Sequence, residues 1–164
     1  MRISLPNEVY PSILVYENFL SDSELDYVVR RCKTLKMYID ENVPERISSR
    51  EDLLDVDTIL SSHLVGRVAS DVIPTEYRIY FEGSKGFTWH KDQFVEEIKG
   101  RYYEASLTLT DTSDCKFEYI KDGTIYSMKV KPNTIVLVKP NDIVHRVSPL
   151  NTGRRTFLKF CCMI

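Results

Sequence analysis

From Pro74 onward the chain reads as eight short strand-like stretches parted by turn residues, and no other feature limits the possible folds so strongly. Residues 76–81, 87–93, 104–110, 116–120, 124–130, 134–139, 143–147 and 155–162 are the candidates. Successive side chains of a strand point to opposite faces, so such stretches each offer one face to a core. Lys121-Asp122-Gly123 and Lys131-Pro132-Asn133 supply turn chemistry between them. Eight strands of this length predict a sandwich or closed barrel.

The stretch before Pro74 has a different period. Residues 12–16 are strand-like, and Ser21-x-x-Glu24 forms a capping box ahead of Leu25, Val28, Val29, Cys32 and Leu35, which share one helical face. Ser48 and Ser49 with Glu51 and Asp52 predict the start of a second helix, with Leu53, Val56, Leu60, Leu64 and Val68 toward the core. His63, beside that stripe, reads as packed or solvated and not as a ligand. The expected class is mainly β with flanking helices (α+β), a β core braced by two N-terminal helices. With no repeat, linker or low-complexity stretch, residues 1–164 are expected to form one domain, long enough to bury about 70% of the surface exposed when unfolded.

Composition narrows the function classes. Apolar residues at 43% and charged residues at 28% fit a soluble globular protein. A net charge of -2 and a pI near 5.9 lack the basic field of a nucleic-acid binder. Arg30-Arg31-x-Lys33 and Lys129-x-Lys131 are small basic clusters that read as solvated faces. No apolar run approaches the ~20 residues of a membrane span, and residues 1–6 carry no signal-peptide pattern, so the cytoplasm is the expected location. Cys32, Cys115, Cys161 and Cys162 have neither disulfide nor zinc spacing and read as reduced core fillers.

His90-Lys91-Asp92, followed by His145 and Arg155, is the constellation that carries chemistry. On a strand, positions i and i+2 face the same way, so His90 and Asp92 can reach one ion, with Trp89 and Lys91 turned aside. Two imidazoles and a carboxylate suit Fe(II) and keep three coordination positions open. Taken alone, the pair also fits an exposed polar couple on a strand, with His145 an ordinary loop or core histidine. Arg154 and Arg155 are adjacent, and a one-residue shift of register exchanges which of them faces inward.

Tyr80-Phe81-Glu82-Gly83, His90-x-Asp92, His145-x-Val147-x-Pro149 and Gly153-x-Arg155, ten residues past His145, come in the order and spacing of a known group. The chain resembles the Fe(II)- and 2-oxoglutarate-dependent oxygenases, and within them the prolyl 4-hydroxylase-like group. A weaker likeness reaches back to residues 13–21, so the resemblance spans almost the whole length. It implies a double-stranded β-helix, or jelly roll, with His90, Asp92 and His145 as the catalytic Fe(II) ligands. Arg155, with Arg154 as its competitor, is implied as the cation for the distal carboxylate of 2-oxoglutarate. Tyr80, ten residues before His90, is implied as a second partner of that carboxylate, its other reading being a barrel-wall aromatic.

The implied cofactors are Fe(II), 2-oxoglutarate and O2, with ascorbate as a further candidate. The implied reaction is oxidative decarboxylation to succinate and CO2, coupled to hydroxylation of a C–H bond. Its expected substrate is a prolyl or other residue of a peptide or protein. An oxidative nucleic-acid demethylase of the alkylation-repair class also matches Tyr80, Gly83, His90 and Asp92, but that class has a second arginine six residues after the first, where this chain has Cys161. A non-catalytic barrel used for binding is the third reading. Two departures from the family stand out: Thr112-Ser113-Asp114-Cys115-Lys116-Phe117 where many relatives carry a Gly-Gly pair, and Thr108 where some have a larger polar aromatic. Residues 38–50 and 94–103 are the expected mobile, substrate-selecting segments; Glu96, Glu97, Lys99 and Arg101 make the second equally readable as a solvated loop.

Overall fold

In the computed structural model, residues 3, 10–39, 41, 46–49 and 51–164 are described. The chain runs through β1 (Ile13–Tyr16), α1 (Asp22–Lys33), β2 (Met37–Ile39), β3 (Arg46–Ser49), α2 (Leu54–His63) and β4 (Arg67–Val68). There follow β5 (Glu76–Tyr80), β6 (Phe87–His90), β7 (Tyr102–Asp111), β8 (Phe117–Lys121), β9 (Thr124–Met128), β10 (Thr134–Val138), β11 (His145–Val147) and β12 (Arg155–Met163). The larger sheet has the order β1-β10-β7-β12-β5-β3-β2, with β4 also on β12, and the smaller has β6-β11-β8-β9. From β5 on, the chain crosses repeatedly between the two sheets, and every pairing is antiparallel. That alternation is a jelly roll.

Each face of the larger sheet has its own core. Leu107, Ile135, Leu137, Leu158 and Phe160 pack with Val28 and Cys32 of α1 and Val56 and Leu60 of α2, all buried. The opposite face encloses the space between the sheets, where Val136 and Val138 meet Phe117, Val130 and Ile143. Strands covered on both sides need apolar residues at nearly every position. This accounts for the runs Thr134–Val138 and Arg155–Met163, buried almost throughout.

Local chemistry explains the joints. Ser21 and Glu24 make the reciprocal cap at the start of α1 that their spacing predicts. Asp122 and Gly123, at φ 50 and 74, form the two-residue turn between Lys121 and Thr124 of β8 and β9. Asn133 is buried at φ 59, and its amide both accepts from Leu20 N and donates to Leu20 O at 2.8 Å, tying the approach to α1 onto the barrel.

Several boundaries differ from the sequence expectations. Ser48 and Ser49 do not start a helix; they belong to β3, which pairs with β5, and Ser49 Oγ accepts from Tyr77 N at 3.2 Å. A serine-acid pattern resembles a cap, but the open edge of β5 takes this segment as a strand, because unpaired strand groups need partners. The second helix instead starts at Leu54 without a side-chain cap, and Leu64 and Val68 lie beyond it while still entering the core. β6 stops at His90, leaving Asp92 in the following coil. Of the segment 38–50, residues 40, 42–45 and 50 lie outside the described residues, and 46–49 are strand. In 94–103, Ile98, Tyr102 and Tyr103 are buried, and Val95 N donates to Tyr102 OH at 2.8 Å, so the segment is anchored at those points. No described helix is long and apolar enough to cross a membrane.

Candidate metal centre

β6 and β11 pair so that His90 and His145 are direct partners, which places both imidazoles on one face with centroids 4.4 Å apart. His90 Nδ1 lies 2.7 Å from Thr88 O, and His145 Nδ1 lies 3.1 Å from Ile143 O. A carbonyl can only accept, so each Nδ1 is the donor and each Nε2 faces the cavity, where it can take either a proton or a metal ion. Asp92 arrives from the coil after β6, its carbonyl fixed by Asn141 N at 2.6 Å. Its Oδ1 lies 3.3 Å from His90 Nε2 and its Oδ2 3.4 Å from His145 Nε2. The ligand atoms of all three residues fall within 4.8 Å of one another.

Asp92 Oδ2 is buried and lacks a hydrogen-bond partner among the described residues. Burial pushes the Asp92 carboxyl up, but His145, His90 and the Lys159 ammonium outweigh it and hold it well below the usual carboxylate range. The group is therefore an anion aimed at two ring nitrogens. It draws positive charge to its centre, and the donor set is one that suits a divalent transition metal.

The three residues line a cavity of about 110 Å³ between the sheets. At its far wall stands Arg155, the first residue of β12, only 3% exposed. Its Nη2 donates to Thr108 Oγ1 at 2.9 Å, its guanidinium lies 4.8 Å from the centre of the Phe157 ring, and its Nε is buried with no hydrogen-bond partner among the described residues. Tyr80 pairs with Arg155 across β5 and β12, is buried, and stacks on Phe157 at 5.5 Å. Arg154 faces the other way, into a separate cavity beside Val29 and Lys33 of α1.

Four charged cavity residues escaped the sequence reading: Arg46, Arg78, Glu104 and Lys159. Arg46 sits across β3 and β5 from Tyr80 and donates to its hydroxyl at 3.4 Å. Arg78 pairs with Glu76 at 2.6 Å. Lys159 lies 2.9 Å from Glu104 Oε2 and 3.6 Å from Asp92 Oδ2; burial alone would push its ammonium down, but those two acids push it up. A signal for Lys159 existed, since it is the one charge between Thr156 and Met163 and stands at inward parity with Arg155.

No protein-family model matches the chain, and no curated protein matches it. Solved structures do. HygX from Streptomyces hygroscopicus, crystallised with nickel, 2-oxoglutarate and hygromycin B, superposes with a TM-score of 0.70 at 13% identity, over 93% of this chain and 82% of that one. A Pseudomonas putida prolyl-4-hydroxylase gives 0.64 at 13% identity over 93% and 92%. A Trichoplax adhaerens prolyl hydroxylase, in complex with a peptide fragment of hypoxia inducible factor, gives 0.63 at 10% identity over 93% and 83%. This chain has the fold of the 2-oxoglutarate/Fe(II) oxygenases.

The remaining histidine and the four cysteines do not line the cavity. His63 packs on Phe19 and its Nε2 meets Glu24 Oε2 at 2.9 Å, as a packed residue and not a member of the triad. All four cysteines are free and buried. Burial pushes the Cys32 and Cys162 thiols up to about 12, so neither is a nucleophile at neutral pH.

Proposed function

We propose that this chain is an Fe(II)- and 2-oxoglutarate-dependent dioxygenase, with residues 1–164 working as one catalytic domain in which α1 and α2 brace the jelly roll. His90, Asp92 and His145 hold the metal; Arg155 and Tyr80 receive the distal carboxylate of the co-substrate. The observation that carries this reading is the convergence of two Nε2 atoms and the Asp92 carboxylate, with ligand atoms within 4.8 Å of one another, on one wall of a cavity whose far wall is a buried guanidinium.

When bound, the metal and 2-oxoglutarate supply oxidative decarboxylation to succinate and CO2, coupled to hydroxylation of a substrate C–H bond. The residues do the positioning. Arg155 offers two parallel N–H groups to a carboxylate, a geometry that Thr108 and Phe157 pre-set from below. The Tyr80 hydroxyl is held at that end by Arg46. Phe87, Phe117, Val147 and Phe157 line the cavity with apolar surface and limit water at the reacting end.

For the substrate, a prolyl or other residue of a peptide or protein is the reading favoured by the likeness to the Pseudomonas and Trichoplax prolyl hydroxylases. Anaerobic titration with Fe(II) tests the centre: a metal-to-ligand charge-transfer band that needs 2-oxoglutarate and vanishes in His90→Ala is the expected result, and its absence would leave a binding barrel. Succinate release is then measured over peptide and methylated-oligonucleotide panels. Stimulation by peptides supports the proposal, whereas stimulation by oligonucleotides alone would replace it with a demethylase.

A further inference from the structure

The geometry points to Lys159 as a positioning residue that, held by Glu104, fixes which oxygen of Asp92 is presented to the metal. This inference rests on the metal-centre reading above and goes beyond it, because neither residue belongs to the triad.

The ammonium stands where strand parity puts it. Arg155, Phe157 and Lys159 alternate along the inward face of β12, and all three line the cavity. β7 lies alongside, with Ser106 directly opposite Lys159 and Glu104 opposite Cys161 two pairs further on. Glu104 is 12% exposed at its side chain and Lys159 23%, so the 2.9 Å pair forms in a largely enclosed space. A cation placed in such surroundings without a partner is strongly destabilising. Glu104 alone neutralises Lys159, yet Lys159 also lies 3.6 Å from Asp92 Oδ2.

Asp92 needs such a neighbour. It lies past the end of β6, so strand pairing does not orient its side chain, and its backbone is tied among the described residues through its carbonyl, to Asn141 N. Its two oxygens face different imidazoles at nearly equal distances, 3.3 and 3.4 Å, so the triad by itself does not tell one oxygen from the other. Lys159 approaches from the Oδ2 side. That breaks the equivalence: Oδ2 is turned to the ammonium, and Oδ1 is left as the single ligand oxygen. Glu104 keeps the ammonium from moving fully onto Asp92, where it would compete with the metal for the carboxylate.

Two opposing expectations separate this role from simple electrostatics. If Lys159 acts only as a nearby positive charge, removing it lessens repulsion and tightens cation binding. If it orients Asp92, removing it weakens binding, by about 10- to 100-fold for loss of an outer partner of a metal ligand.

The probe is Co(II), titrated into the full chain and followed both by calorimetry and by its visible absorption, which reports coordination geometry independently of turnover. Lys159→Met is expected to weaken Co(II) binding about 10- to 100-fold and to change the absorption intensity. Lys159→Arg, which keeps a cation there, should lose less. Glu104→Gln should weaken binding too, and should add little on top of Lys159→Met, as coupled partners do. Circular dichroism of each metal-free variant verifies that it is folded. Should folded Lys159→Met bind as tightly as the unaltered chain or tighter, with the same spectrum, the inference is overturned while the metal centre stands. Should the unaltered chain bind no Co(II), or His90→Ala bind it equally well, the metal centre falls and the inference with it.

Discussion

Gly153 and Thr112 lie so close that a Cβ on the glycine would stand 2.2 Å from the Thr112 carbonyl oxygen. Gly153 is at φ 71, two residues before Arg155, and on its C-terminal side Arg154 N donates to Thr112 Oγ1 while Arg154 O accepts from Thr112 N. The glycine thus sets where β12 begins and which of two neighbouring arginines faces the cavity. Gly153→Ala adds strain of about 1–3 kcal/mol and a clash with backbone. The expected outcome is a lower urea midpoint with an unchanged slope, together with weaker 2-oxoglutarate binding as Arg155 shifts. Unchanged values of both would refute the role given to this turn.

The two arginines give a second, sharper test. Arg155 is buried in the cavity and Arg154 faces α1. Losing two charge-assisted hydrogen bonds, at about 1.5–3 kcal/mol each, predicts that Arg155→Ala weakens 2-oxoglutarate binding about 100-fold or more. Arg155→Lys should recover only part, because an ammonium lacks the planar fork. Arg154→Ala should bind within about twofold of the unaltered chain, as expected for a group outside the pocket. Calorimetric titration of the Mn(II)-loaded protein decides, and the reverse ranking would move the anchor to Arg154.

These two cases mark what could be read in advance. The grouping of His90, Asp92 and His145 was legible in motif spacing, but the strand parity expected to turn Asp92 toward His90 does not operate, because β6 ends at His90 and Asp92 meets the imidazoles from a coil. The preference for Arg155 over Arg154 came from the family's spacing alone, since parity is meaningless until a turn fixes the register, and the Gly153 turn that does so depends on the distant Thr112. Arg46 was hidden for a related reason. β3 exists through its pairing with β5, and nothing in Arg46-Ile47-Ser48-Ser49 itself announces a strand at the cavity wall.

Asn133 predicts a large effect far from the site. Its amide satisfies both backbone groups of Leu20, it is 7% exposed, and its φ of 59 suits few residues. Asn133→Ala leaves a buried donor and acceptor unpaired and strains the backbone, for a loss of about 3 kcal/mol or more. Asn133→Gly removes the strain but not the unpaired groups, so it should be milder by about 1 kcal/mol. Equal stability of the alanine variant in chemical denaturation would show that the turn does not anchor α1.

Asp92 sets a pH dependence whose sign is fixed by the direction of its shift. Burial raises its carboxyl, but His145, His90 and Lys159 lower it further, so the folded chain holds the carboxylate ionised more firmly than the unfolded chain does. Such a group stabilises the fold above its unfolded value, about 3.9 for an aspartate, and that contribution is lost as pH falls toward the lower folded value. In chelator-treated protein, Asp92→Asn should therefore melt below the unaltered chain at pH 6. The gap should persist to about pH 4 and close only in stronger acid, where both states protonate. A variant that melts higher at pH 6 would mean that the metal-free carboxylate is a net burden, the cost of its burial outweighing the attraction of His145, His90 and Lys159. The same melts repeated with Co(II) then separate the two contributions, because the metal stabilises only a chain that retains the carboxylate.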